Sequence, residues 1–276
     1  MPVRSLVATL ILLACGAASA QGALPVPVLR SIDGRQVEVL SGGVPGRLGT
    51  LVFENGLRET IATWSGVLKA IAPQARVFAY NRPGYGHSDD TPRARDGATI
   101  VEDLRKMLRQ SGMAPPYVLV GHSLGGLYMQ QFARAHPDEV AGVVLVDAVY
   151  PGVIKRSEDF PLATRVARQL FFSSAVNREI DQIHATGDGV LALPAADAIP
   201  MIRLFNMPHS PGAVAVDFGV NDDDPAVRKR VEALYPNARK VIVHSDHRIQ
   251  EANPEFVVRA IEDVVDAGRR HEALQR

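Results

Sequence analysis

In the segment YVLVGHSLGG, residues 117–126, a serine follows an unbroken apolar run and is flanked by Gly121 and Gly125. A run rich in Val and Leu reads as a strand buried on both faces, as in a parallel sheet. Residues 127–136 suit a helix. A strand that turns abruptly into a helix around G-x-S-x-G is a nucleophile elbow, whose strained turn lifts the serine oxygen above the sheet. Side chains in place of the glycines would clash in so tight a turn. The chemistry implied is nucleophilic attack by Ser123. An unassisted hydroxyl is a poor nucleophile at neutral pH, so a base and a group that orients the base are needed. The plainer alternative is a glycine-rich loop closing an ordinary βα unit.

The elements that must position such a serine follow from the rest of the chain. VLRSIDGRQVEVL alternates around Asp33-Gly34, a hairpin turn signal. GTLVFENG reads as a buried strand ending at Asn55-Gly56, and residues 60–72 have helical spacing that stops before Pro73. ARVFAYNRPG is a strand, residues 98–110 a helix, and VAGVVLVDAVYP a strand ending at Asp147. ARKVIVHSDH is a strand running into a loop. NPEFVVRAIEDVVDAG is an amphipathic helix with Asn253 as its N-cap and Gly268 near its end. Strands alternating with helices after an opening hairpin imply a mostly parallel, doubly wound α/β sheet. With no internal repeat or low-complexity linker, residues 21–276 are expected to form one domain. Residues 150–198 break the alternation and are expected to form a short helical lid over the strand ends, the alternative being ordinary packing onto the domain.

The chain of 276 residues carries 30 Lys and Arg against 30 Asp and Glu, so its charge gives no reason to expect nucleic acid as a partner. An apolar content of 46% is enough for a substantial core. No segment after the first 20 residues has the length and flanks of a membrane span. Residues 1–20 contain Arg4, an apolar stretch over 6–14 and the small residues Ala18-Ser19-Ala20. That is the layout of a secretory signal peptide, and it predicts export to the periplasm or the exterior, with a mature chain beginning near Gln21. The one cysteine, Cys15, lies in this segment, which leaves the mature chain without a disulfide or a Cys metal site. In the alternative reading LLAC is a lipobox and Cys15 carries a lipid anchor.

Five pieces of the chain, in order, resemble the α/β-hydrolase superfamily: VFENG, YNRPGYGHSD, GHSLGG, VAGVVLVD and HSDHRIQEANPEFV. The resemblance covers about residues 49–268 and implies the α/β-hydrolase fold. The second piece has Asn81 where Asp is usual, a turn-capping position outside the chemistry. The resemblance implies His247 as the base, in the loop between the last strand and the last helix. His122, beside the nucleophile, is expected to pack beneath it. Members of the superfamily place the acid at the end of the strand after the elbow helix or at the end of the next strand. The first place is Asp147. At the second, IPMIRLFN would put Asn206 or His209 near its end with no carboxylate, whereas AVAVDFGVNDDDP would offer Asp222 or Asp223. Both assignments stay open, with Asp147 preferred. The backbone N–H groups of Leu57 and Leu124 are the expected oxyanion donors.

These residues together imply an exported serine hydrolase that cleaves an acyl bond of a small apolar acyl substrate, most readily a carboxylic ester, through an acyl-enzyme. No metal or organic cofactor is implied, since no ligand spacing is present. Two other readings fit the same residues: a non-catalytic small-ligand-binding protein on this fold, and an acyltransferase or amidase using the same triad.

Overall fold

The computed structural model describes residues 26–207 and 224–270. The expected signal peptide with Cys15, and His209, Asp222 and Asp223, lie outside the described residues. Asp33 and Gly34 take φ of 51° and 76°, the left-handed backbone of a tight hairpin turn. They join β1 (Val28–Ile32) to β2 (Arg35–Gly43) in antiparallel register. Next come β3 (Thr50–Glu54), α1 (Ser65–Ile71), β4 (Arg76–Tyr80), α2 (Gly97–Gln110), β5 (Tyr117–His122) and α3 (Leu124–Ala135). The chain continues through β6 (Val140–Val146), α4 (Leu162–Phe171), α5 (Ser174–Ala192) and β7 (Met201–Asn206). It closes with α6 (Pro225–Leu234), β8 (Arg239–Val243), α7 (Ile249–Ala252) and α8 (Pro254–Arg270).

The sheet order is β1-β2-β4-β3-β5-β6-β7-β8. The opening hairpin is antiparallel to its neighbour β4, and every later pairing is parallel. Alternate strand residues enter opposite layers. Phe53, Val120 and Val146 pack with Trp64, Val67 and Ile261. Val52, Leu119 and Leu145 pack instead with Leu104, Leu127 and Phe132. Both faces are dry, which is why these strands read as continuous apolar runs rather than alternating ones.

After β3 the chain moves to β4 on one side, then crosses to β5 on the other. The order therefore reverses between β3 and β5, and in sheets of this kind a crevice opens there, at the carboxyl ends of the strands. Gly125, in the first turn of α3, is packed against this point. A methyl group on it would lie 2.4 Å from the Glu54 carbonyl oxygen and 2.5 Å from that of Asn55. One on Gly121 would lie 2.7 Å from the Gly125 carbonyl oxygen. Close approach of backbones, not positive φ, is the reason for these glycines.

Asn81 also has a physical reason. Its Nδ2 donates to Glu38 Oε2 at 2.6 Å and its Oδ1 accepts from the Ile61 N–H at 2.8 Å. An aspartate could accept but not donate, and would face the Glu38 carboxylate with like charge. The ends of α8 fall where the sequence put them. Asn253 directly precedes the helix, its carbonyl accepting from the Phe256 N–H at 3.2 Å and its side chain donating to Glu255. Gly268 lies near the end of α8, where a methyl would come 3.1 Å from the Ala141 carbonyl oxygen, so it also permits close helix–strand packing.

Residues 150–198 hold two different helices. α5 buries Glu179, Ile180, Ile183 and Val190. α4 buries only Thr164 and Arg168 and leaves Leu162, Val166, Leu170 and Phe171 exposed.

Gly125→Ala is expected to lower the free energy of unfolding in urea by about 1–3 kcal/mol, because the contacts it would crowd are backbone atoms that cannot swing away. Gly189→Ala in α5, whose nearest neighbour would be the Gln131 side chain at 3.5 Å, should be neutral or stabilising by up to about 1 kcal/mol through helix propensity.

Candidate active site

Ser123 stands at the junction of β5 and α3 with φ 50° and ψ −121°. A non-glycine residue held there costs about 1–3 kcal/mol and persists only where its surroundings over-determine it. Three backbone bonds do so. The Ser123 N–H donates to the Val146 carbonyl at 3.1 Å, and the Ser123 carbonyl accepts from Gly126 at 3.0 Å and Val149 at 2.9 Å. The first bond ties the turn to the end of β6 and the last ties it to the loop beyond.

Asp147 leaves the end of β6, also at positive φ, 41°. Its N–H donates to the Leu204 carbonyl at 2.8 Å. One carboxylate oxygen accepts from the Asn206 N–H at 3.1 Å, and the other is 2.8 Å from His247 Nδ1. With Nδ1–H donating to Asp147, the Nε2 atom is left with its lone pair, the tautomer a general base requires. Burial opposes the charged imidazolium, but the hydrogen bond and charge of Asp147, with the more distant charge of Glu59, outweigh it. The His247 pKa is therefore raised above its ordinary 6.5. Ser123, Asp147 and His247 all line one cleft.

IPMIRLFN is the strand after β6, so the second place for an acid holds Asn206. Its N–H supports Asp147, and its Oδ1 accepts from the Ser245 N–H at 3.2 Å, in the loop that carries His247. Asn206 thus braces Asp147 and the loop that carries His247, where a carboxylate was the alternative.

His122 lies beneath the turn, fully buried, as expected, but it also does something the sequence does not reveal. Its Nε2 is 2.8 Å from the His247 carbonyl oxygen and its Nδ1 is 2.7 Å from Glu59 Oε2. Both ring nitrogens point at acceptor oxygens, which requires a proton on each nitrogen or one on the Glu59 carboxyl. Burial pushes the Glu59 carboxyl up, yet the His122 contact, the Gly56 N–H and Arg248 together hold it below its ordinary range. Glu59 accepts from Gly56 N–H at 3.0 Å and from Arg248 Nε at 3.0 Å. It therefore joins the loop after β3 to the loop after β8. Neither Glu59 nor Asn206 belongs to a recognisable motif, and only their folded neighbours mark them.

Leu57 and Leu124 face the same cleft across the β3–β5 switch. The cleft measures about 1240 Å³, with apolar walls that include Val149, Val153, Ile154, Phe171 and Phe172. Arg58, at φ 63°, stacks its guanidinium on the Phe172 ring at 4.6 Å. Among the described residues there is no group of His, Cys, Asp and Glu arranged to hold a metal ion, and no helix is long and apolar enough to cross a membrane.

Comparison with known proteins bears on the fold that carries these residues. A family model described as alpha/beta hydrolase fold matches residues 49–185. The uncharacterized protein YbdG of Bacillus subtilis is 26% identical over 155 residues, covering 52% of this chain and 48% of that protein. The putative carbamate hydrolase RutD of Caulobacter vibrioides is 30% identical over 118 residues, covering 42% of this chain and 43% of that protein. The matched region thus spans less than half the length of either relative. Among solved structures, a bacterial membrane phospholipase A superposes with a TM-score of 0.63 at 17% identity, covering 88% of this chain and 86% of that one. At that identity the likeness is one of fold.

An NMR titration of the His247 ring protons should give a midpoint above 6.5. In Asp147→Asn the midpoint should fall, because both the hydrogen bond to the charged ring and the negative charge are lost. An unchanged midpoint would show that Asp147 does not act on His247 in solution.

Proposed function

The chain belongs to the α/β-hydrolase superfamily, and from that premise we propose that it is an exported serine hydrolase that cleaves carboxylic esters with an apolar acyl group. The observation that carries the reading is the 2.8 Å bond between His247 Nδ1 and Asp147, opening on the same cleft as the strained Ser123. Ser123 Oγ attacks the acyl carbonyl while His247 Nε2 takes its proton. The N–H groups of Leu57 and Leu124 receive the negative charge that develops on the carbonyl oxygen. Collapse of the tetrahedral intermediate expels the alcohol, which leaves with the proton from His247. Water, activated by the same imidazole, then releases the acid and restores Ser123.

The substrate class is read from the walls. Phe171, Phe172, Val153 and Ile154 offer an acyl or alkyl chain an apolar seat, and residues 150–198, which carry all four, serve as a lid. An amide or carbamate would meet the same nucleophile, and the likeness to a putative carbamate hydrolase keeps that arm in the assay. Export rests on residues 1–20. Labelling with a fatty acid would distinguish an anchor at Cys15 from a mature chain that starts near Gln21.

The test is steady-state hydrolysis of p-nitrophenyl esters from acetyl to long acyl chains, with matched anilides and carbamates, beside Ser123→Ala. Turnover of esters that vanishes in the variant is the expected result. Well-folded protein that cleaves none of them would sink the proposal and favour a binding role. Asp147→Asn should lower kcat/KM by about three to four orders of magnitude. The acid limb of the wild-type pH profile should lie above 6.5, since the raised His247 pKa keeps the base protonated to a higher pH.

A further inference from the structure

We propose that Arg82 is the positioning residue for the oxyanion donor Leu57, and that Glu179 of α5 holds Arg82 to that task. The inference rests on the serine-hydrolase reading for its catalytic consequence, but its geometry stands apart from it. Arg82 lies just past β4, 1% exposed, and all five guanidinium N–H donors have acceptors. Nη1 donates to Glu54 Oε1 and to the Asn55 carbonyl, each at 2.6 Å. Nη2 donates to the Gly56 carbonyl at 2.8 Å and to Glu179 Oε2 at 3.1 Å, while Nε donates to Glu179 Oε1 at 2.9 Å.

Two of those acceptors are consecutive carbonyls in the loop after β3. A trans peptide is planar, with its C=O and the next N–H on opposite edges. Holding the Gly56 oxygen against Arg82 therefore turns the Leu57 N–H away from the guanidinium, on the side where Leu57 lines the cleft. The preceding peptide is held at both edges, its oxygen by Arg82 and its Gly56 N–H by Glu59. The donor's direction is thus set before a substrate arrives, as oxyanion stabilisation demands. A lysine in place of Arg82 has one nitrogen and cannot span both carbonyls and both carboxylates.

Glu179 ties this clamp to the insertion. Its carboxylate also receives Arg95 and the Tyr85 hydroxyl, the latter at 2.7 Å, and Tyr80 closes the far side by donating to Glu54 at 2.7 Å. Two arginines meet two glutamates in the cluster; burial and the neighbouring Glu179 push the Glu54 carboxyl above its ordinary range, while the arginines hold Glu179 below its own. The aim of an oxyanion donor after β3 depends in this way on the seating of a helix some hundred residues further along the chain.

The experiment compares wild type, Arg82→Lys and Glu179→Gln, each checked for native near-UV circular dichroism. Three readouts are taken: kinetics on a p-nitrophenyl ester, inhibition by a trifluoromethyl ketone of the same acyl chain, and the 15N–1H shifts and exchange of the Gly56 and Leu57 amides. The ketone binds as a serine hemiketal with an oxyanion, and the matching non-electrophilic ether reports the apolar seat alone. Arg82→Lys should lower kcat by about tenfold to a hundredfold, the scale of a misplaced catalytic group, with KM changed less than about twofold. Ketone affinity should fall with it while ether affinity holds, and the Leu57 amide should shift and exchange faster. Glu179→Gln should move the same readouts less far, which keeps the test available if the lysine variant does not fold. Retained kcat with an unmoved Leu57 amide would overturn the proposal. So would equal losses of ketone and ether binding, the mark of a merely collapsed site. If wild type cleaves no ester, the serine-hydrolase reading fails, and the Leu57 amide alone still decides whether Arg82 positions it.

Discussion

α3 begins against the end of β3 with no side chain between them. Gly125 allows that contact, with its α-carbon packed toward the Glu54 and Asn55 carbonyls, and the proposed site is arranged around it. The elbow that lifts Ser123 and the loop that offers Leu57 come from strands adjacent in the sheet but well separated in the chain, β5 and β3. A parallel sheet whose order reverses between them brings their carboxyl ends side by side. How near the two loops then lie depends on a hydrogen atom standing where a methyl would.

Strain is stored at the same place and is secured from several directions. Ser123 and Asp147 both have positive φ, and each is tied by backbone bonds to a neighbouring strand. Such conformations survive where packing and hydrogen bonds leave no alternative. The interlocked strands β5, β6 and β7 supply them, so the proposed nucleophile and the proposed acid both sit at the ends of sheet strands. His247 comes instead from a loop, and it is steadied through Asp147 on its ring and His122 on its carbonyl.

Beneath the β3 loop the solution is electrostatic. A guanidinium removed from water is tolerable only when its donors are filled and its charge is met, and breaking such a pair typically costs about 3–5 kcal/mol. Arg82 meets both conditions, and Glu54 and Glu179 together hold its charged form far above the range where it could lose a proton. Glu179 in turn stays ionised despite complete burial, because the charges of Arg82 and Arg95 outweigh desolvation. The cluster is directional where an apolar plug of the same size would not be. It has edges that carbonyl groups must face.

How much of this was legible in the chain depended on whether the signal was local. The buried parallel strands, the hairpin at Asp33-Gly34 and the elbow at Ser123 are written in short stretches, because apolar runs and turn residues act on their immediate neighbours. Asp147 and His247 could be named because the resemblance assigns an acid to a strand end and a base to the loop after the last strand, though Asp147 could not be separated from Asp222 until the identity of the strand after β6 was known. Asn206, Glu59, Arg82 and Glu179 form the other group. Arg82 sits inside a recognised motif and still carried no sign of its partners, since Glu179 is distant in sequence and lies in a stretch with no motif. A hydrogen bond across the fold leaves no periodicity in the chain. The sequence by itself determined which strands would be buried and where a serine could be presented. Only the tertiary structure decided which carbonyls, carboxylates and ring nitrogens face one another, because those contacts arise when distant segments close on the same few cubic ångströms.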